Sequence, residues 1–115
     1  MASDCLFCQI IAGQIPAKAV YQDERVFAIR DINPQAPTHI LLLPKQHLAS
    51  VDVARAPDES MLGALLLAAA QVARQEDLAV NGYRLVINTG SDGGQSVAHL
   101  HVHLLGGRQM TWPPG

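Results

Sequence analysis

Charge is scarce in this chain, and what there is nearly cancels. Of its 115 residues, 8 are Lys or Arg and 10 are Asp or Glu, for a formal net charge of −2. No basic run breaks that balance, which excludes a surface built for duplex nucleic acid or an anionic membrane. A phosphate, if one is bound, must be held by local donors in a pocket. Long apolar runs are missing too: the longest, Leu62 to Ala70, is far too short to span a bilayer. Met1-Ala2-Ser3-Asp4 lacks the basic start of a secretory leader and no extended apolar stretch follows it, so a cytoplasmic location is expected. Two cysteines cannot make a disulfide scaffold. In a reducing compartment, Cys5-x-x-Cys8 points instead to metal or redox chemistry. With 49% hydrophobic and 16% charged residues the chain is not disordered. Its length allows one core, so a single domain over residues 1–115 is expected.

What is present in excess is histidine in one place. Three of the five histidines fall at His99, His101 and His103, each followed by an aliphatic residue. On a strand such spacing puts the three imidazoles on one face, about 6.5 Å apart, with Leu100, Val102 and Leu104 on the other. A half-exposed strand that merely carries histidine does not account for three in register, so the segment reads as a site. Three ligands spread over about 13 Å of strand could share one ion only with a strong bend, which disfavours a metal hydrolase.

The rest of the pattern is α+β. A short helix over Cys5–Ala12 ends at Gly13, with Pro16 beyond it. Ala19–Gln22 and Val26–Arg30 read as a hairpin, and His39–Pro44 as a central strand. Pro57-Asp58-Glu59-Ser60 opens the main helix, which runs with apolar residues at helical spacing to a stop at Asn81-Gly82. Tyr83–Asn88 and the histidine segment complete a mostly antiparallel sheet with the helix on one face.

The loop Asn88–Ser96, rich in glycine, leads straight into the histidines. It is either a plain connector or a nest of backbone N–H groups that holds an anion, and its position favours the nest. Neutral imidazole is a nucleophile whose phosphorus adduct can be hydrolysed, while flanking imidazoles can donate to phosphoryl oxygens. No cluster of carboxylates suggests a Mg²⁺ cage, so no magnesium requirement is expected. His39, at the start of the central strand, is either structural or orients a triad imidazole by hydrogen bonding. Cys5 and Cys8 form half of a tetrahedral site that distant histidines would complete; redox chemistry lacks its usual βαβ context here, and coincidence is the bland alternative.

These residues together resemble the histidine triad (HIT) superfamily, and within it the Hint-like purine nucleoside phosphoramidases. The resemblance runs through Ile15-Pro16-Ala17-Lys18, Arg30 to His39, Pro44-Lys45-Gln46-His47, Gly82-Tyr83-Arg84, Gly93 to Val97, the complete triad and Gly106-Gly107-Arg108-Gln109-Met110. It implies a HIT-like fold, an antiparallel five-stranded sheet with one main helix and a short N-terminal helix. It also implies a homodimer whose sheets join edge to edge through the strand at Tyr83–Asn88. His101 would attack the α-phosphorus of a purine nucleoside phosphoramidate of the AMP-lysine type, forming a nucleotidyl-histidine that water cleaves. His103 would bind the phosphoryl oxygens, His39 would sit behind His101, and Ser96 would hydrogen-bond the leaving group. Asn88, Gly94, Gln95 and the Val97 backbone would contact the phosphate region. Asp31 would accept from the ribose hydroxyls, with Ile32 and Phe27 lining the base pocket. Cys5, Cys8, His47 and His99 would hold a structural zinc, which removes His99 from the free triad. Two alternatives stand beside this reading: a dinucleotide polyphosphate hydrolase, and a non-catalytic module that binds a purine nucleoside monophosphate and signals to a partner.

Overall fold

The computed structural model describes residues 4–115; Met1-Ala2-Ser3, on which the leader argument and the start of the expected domain rest, lie outside the described residues. Chain order is α1 (Leu6–Ile11), β1 (Ala19–Gln22), β2 (Val26–Arg30), β3 (Thr38–Pro44), two short 3₁₀ turns, α2 (Glu59–Gln75), β4 (Tyr83–Val86) and β5 (Val102–Gly106). The five strands form one sheet in the order β1-β2-β3-β5-β4, every neighbouring pair antiparallel. The fold is therefore the α+β arrangement that the residue pattern implies, with one main helix and one short one. No helix among the described residues is long and apolar enough to cross a membrane.

Local chemistry sets the boundaries. The β1–β2 turn is tied by Asp23, whose Oδ1 accepts from the amides of Arg25 and Val26, each at 2.8 Å. Helix α2 stops at Gln75, six residues before the expected Asn81-Gly82. Asp77 takes a left-handed conformation (φ 60°), its amide donates to Arg74 O at 3.2 Å, and the Leu78 amide donates to Ala73 O at 2.8 Å. This is a Schellman-type ending with Asp in the place usually held by Gly, and the buried Leu78 locks it. Strand β4 is also shorter than expected, ending at Val86 rather than Asn88.

The sheet has two apolar faces with different partners. Val26, Ala28, Ile40, Leu42, Val102 and Leu104 pack against Leu65, Ala68, Ala69, Val72 and Ala73 of α2. On the opposite face Ile29, Leu41 and Leu43 pack against Phe7 and Ile10 of α1. The alternation along β3 and β5 thus sends one set of side chains to the structural core and the other to the side where the histidines gather. Truncating Leu65 to Ala, on the α2 face, should cost about 3 kcal/mol in denaturant unfolding. Its metal content, measured by elemental analysis, should not change, because the ligand cluster lies on the other face.

Candidate active site and metal centre

The triad does not lie along one strand. Only His103 is in β5; the chain bends at Val97–His99, and the Leu100 amide donates to Leu48 O (2.6 Å). The bend corrects the expected register of three imidazoles on one face and divides them between two clusters. His99, fully buried, turns to the cysteines, while His101 and His103 keep their rings together, centroids 4.9 Å apart.

In the first cluster, His99 Nδ1 lies 3.3 Å from Cys5 Sγ, 3.5 Å from Cys8 Sγ and 3.1 Å from His47 Nδ1, and Cys8 Sγ is 3.4 Å from His47 Nδ1. All four ligand atoms fall within 4.8 Å of one another. A tetrahedral zinc with bonds of about 2.3 Å to sulfur and about 2.05 Å to nitrogen separates its S···N and N···N ligand pairs by about 3.5 and 3.3 Å. The observed spacings are those of such a tetrahedron, and two thiolates with two imidazoles are a donor set that zinc prefers. His99 Nε2 donates to Pro44 O at 2.9 Å, which leaves the Nδ1 lone pair facing the cysteines. Burial first, then the hydrogen bond and charge of Cys5, push the Cys8 thiol up to about 11, so a thiolate there calls for a cation. Cys5, Cys8, His47 and His99 fit a structural zinc.

The second cluster is a relay of imidazoles whose tautomers the backbone dictates. The Gln35 amide donates to His39 Nδ1 at 3.0 Å, so His39 carries its proton on Nε2. That Nε2 donates to His103 Nδ1 at 2.9 Å, which leaves His103 with its own proton on Nε2. The two residues can meet because the register opposes His39 to Leu105 and Leu41 to His103, making them diagonal neighbours on one face. His39 therefore stands behind His103 rather than behind His101. His101 Nδ1 donates to the His99 carbonyl at 2.8 Å; a carbonyl only accepts, so the lone pair of His101 is on Nε2. One ring thus offers a lone pair and its neighbour an N–H, with both protonation patterns set by main-chain groups. Burial, then the proximity of His101 and His39, holds His103 down to about 4 against the opposing pull of Asp31, and burial lowers His39 as well. Asp31, His39 and His103 also place ligand atoms within 4.8 Å; there Asp31 Oδ1 accepts from the Asn33 amide, His39 Nε2 donates to His103, and Asp31 Oδ2 lies 3.5 Å from that same Nε2.

A cavity of about 280 Å³ opens on these rings, near the roughly 300 Å³ lower end of small-molecule sites. His101, His103, Ser96, Val97, Asp31 and Ile32 line it, with Leu6, Phe7, Ile10 and Ile15 along an apolar wall. Ile32 is fully exposed at its mouth. Among the described residues no intrachain hydrogen bond takes up the Ser96 hydroxyl or the Val97 amide. Phe27 is not in the lining; it packs beneath, with the cluster of Phe7, Leu41 and Leu43. Asn88, Gly94 and Gln95 also stand off the cavity and brace the glycine loop. Asn88 Nδ2 donates to Gly94 O (3.4 Å), while Gln95 accepts from the Gly90 amide (3.1 Å) and donates to Ala49 O (2.7 Å) and Val97 O (2.9 Å). Phe7 was not anticipated. Its ring meets His101 (5.0 Å) and His99 (5.9 Å) nearly perpendicularly, and its place between the two cysteines was the available signal.

Two outcomes follow. The purified chain should carry one zinc, and Cys8→Ser should lower that stoichiometry, read by elemental analysis, with a lower Tm. His103 binds its proton less readily folded (about 4) than unfolded (6.5), so its contribution to stability is complete above pH 6.5 and is lost as pH falls toward 4. Denaturant unfolding across that window should show the loss, and His103→Asn should flatten it.

The HIT domain profile matches residues 12–110. A 14 kDa zinc-binding protein of Zea mays is 56% identical over 115 residues, spanning 98% of this chain and 89% of the maize protein. The crystal structure of a HIT family hydrolase from Legionella pneumophila Philadelphia 1 aligns with a TM-score of 0.95 and 53% identity, over 96% of this chain and 99% of that one. A histidine triad nucleotide-binding protein from Candida albicans aligns with a TM-score of 0.82 and 29% identity, over 95% and 82% of the two chains. With that match over most of its length, and with His99, His101 and His103 complete, the chain belongs to the HIT domain family.

Proposed function

We propose that this protein is a nucleotide-binding hydrolase that cleaves the P–N bond of purine nucleoside phosphoramidates through a nucleotidyl-His101 intermediate. The observation that carries the reading is the opposed protonation of two adjacent rings: a lone pair on His101 Nε2 and an N–H on His103 Nε2 at one cavity. The names of relatives that are hydrolases or nucleotide-binding proteins support it at the level of class.

His101 Nε2 attacks phosphorus while His103 Nε2–H stabilises the charge gathering on the phosphoryl oxygens. The P–N bond breaks, and the departing amine takes a proton across the Ser96 hydroxyl, which regains one from water. The hydroxide left by that water attacks phosphorus, the P–Nε2 bond breaks with its electron pair returning to His101, and the nucleoside monophosphate leaves with His101 neutral. Asp31, a carboxylate at the cavity mouth, is suited to the two donors of a ribose diol. The apolar wall from α1 is where a purine would lie. The zinc cluster would hold Cys5, Cys8, His47 and His99 in place and is assigned no part in bond breaking.

Among the described residues strand β4 pairs with β5 alone, which leaves its outer edge without a strand partner, and we place the homodimer contact there, sheet to sheet. His101→Ala should abolish turnover of an AMP phosphoramidate while AMP binding, measured by calorimetry, persists. A brief reaction of the wild-type chain with labelled substrate should leave label on His101. Turnover without label would remove the covalent path, and faster cleavage of diadenosine polyphosphates than of phosphoramidates would replace the substrate assignment.

A further inference from the structure

Helix α1 serves both clusters at once. It has six residues, too few to be stable alone. Cys5 caps its N-terminus and Cys8 lies on its first turn, so both sulfurs of the metal cluster belong to this element. Its buried side chains, with Ile11 packed beside them, are Phe7 and Ile10. The same two, with Leu6, line the cavity that holds His101 and His103. Phe7 also stands against the rings of both His99 and His101, the two residues joined by the hydrogen bond from His101 Nδ1 to the His99 carbonyl.

We propose that α1 is the mechanical link through which the metal cluster shapes the nucleotide pocket, with Phe7 as the positioning residue for His101. The ligand sulfurs clamp α1 to His47 and His99, on the segments that follow β3 and precede β5. Released from that clamp, α1 keeps the apolar packing of Phe7, Ile10 and Ile11 but loses its ties to His47 and His99, and one wall of the pocket moves with it. Phe7 acts on a shorter range. Only 5% exposed, it covers the side of His101 and keeps water from competing for the Nδ1–H, which preserves the lone pair on Nε2. The metal thereby affects binding and ring orientation without touching substrate. The role given to Phe7 rests on His101 being the nucleophile; the coupling of α1 to the pocket does not.

The test uses AMP as the probe. Removing zinc from the wild-type chain with a chelator should weaken AMP binding about tenfold, on the scale seen when the supports of a site are lost. Amide hydrogen exchange at Gln9 and Ala12, whose amides donate to Cys5 O and Cys8 O, should quicken at least about tenfold while buried α2 amides stay protected. In the zinc-loaded Phe7→Leu variant, metal content should remain one per chain. Its kcat on an AMP phosphoramidate should fall about tenfold with a smaller change in KM, as expected for a misplaced reacting group. Nitrogen NMR of the His101 ring should show mixed tautomers in place of one.

Unchanged AMP affinity and α1 exchange after chelation would overturn the coupling, and an unchanged kcat and tautomer in Phe7→Leu would overturn the positioning role. Should Phe7→Leu fail to fold, the chelation arm on the wild-type chain still decides the coupling. Zinc-dependent AMP binding in a chain that turns over no phosphoramidate would support the coupling and remove the hydrolase. Normal turnover with zinc-independent binding would do the reverse.

Discussion

The rest of the site depends on the double use of His99. Its ring is held at both nitrogens, by Pro44 O on one side and by the cysteines and His47 on the other. Its carbonyl then receives the Nδ1–H of His101. A buried residue fixed at two ring atoms has little freedom left in its backbone, so the acceptor that selects the His101 tautomer is itself immobile. A neutral imidazole in solution exchanges between tautomers, and only one of them would present its lone pair to the cavity. Placing the acceptor on a metal-ligand residue is an economical way to make that choice permanent.

The same economy governs the sheet. Alternation along β3 gives Ile40 and Leu42 to α2 and His39, Leu41 and Leu43 to the opposite side. On β5 it gives Val102 and Leu104 to the core and His103 to the site. The large apolar contact with α2 supplies most of the cohesion and asks nothing of the chemistry. The smaller face, closed by α1 together with Ile15 and Val97, is where polar rings sit next to aliphatic side chains. Burial there lowers the proton affinity of His39 and His103 and keeps the relay neutral. Neutrality is what permits each ring to donate on one side and accept on the other.

Much of this was legible in the residues. Hairpin signals located β1 and β2, an aliphatic run located β3 and period-two alternation the last strand; the Cys-x-x-Cys spacing gave half of the metal cluster, and the family resemblance added His47 and His99. Three things were hidden, each for a physical reason. The end of α2 was missed because Asp77, rather than a glycine, takes the left-handed position, and the partner that makes this tolerable, Leu78, is defined only by packing. The triad was read as continuous strand because strict alternation looks the same whether or not the segment finds a ladder partner. Leu100 bonds Leu48 in a neighbouring loop, and the bend that results separates His99 from the other two. The resemblance set His39 behind His101 whereas its ring meets His103, because diagonal pairing depends on the β3–β5 register, which no local pattern encodes.

The near absence of net charge takes on meaning in this light. A general positive field would draw any anion to the surface, whereas this chain sets a ring N–H, a backbone amide and a hydroxyl in one mainly apolar cavity whose charged lining residues are Asp31 and Arg30, the latter paired with Glu76. In such surroundings a few oriented dipoles do the work that several solvated cations would do in water, because the local dielectric is low and the donors need no reorganisation. A lysine or arginine at the same place would bind phosphate without supplying a nucleophile, and a protonated histidine would lose the lone pair on which attack depends. On the proposed reading, holding the phosphate with neutral donors would be the condition under which one histidine binds while the next one reacts.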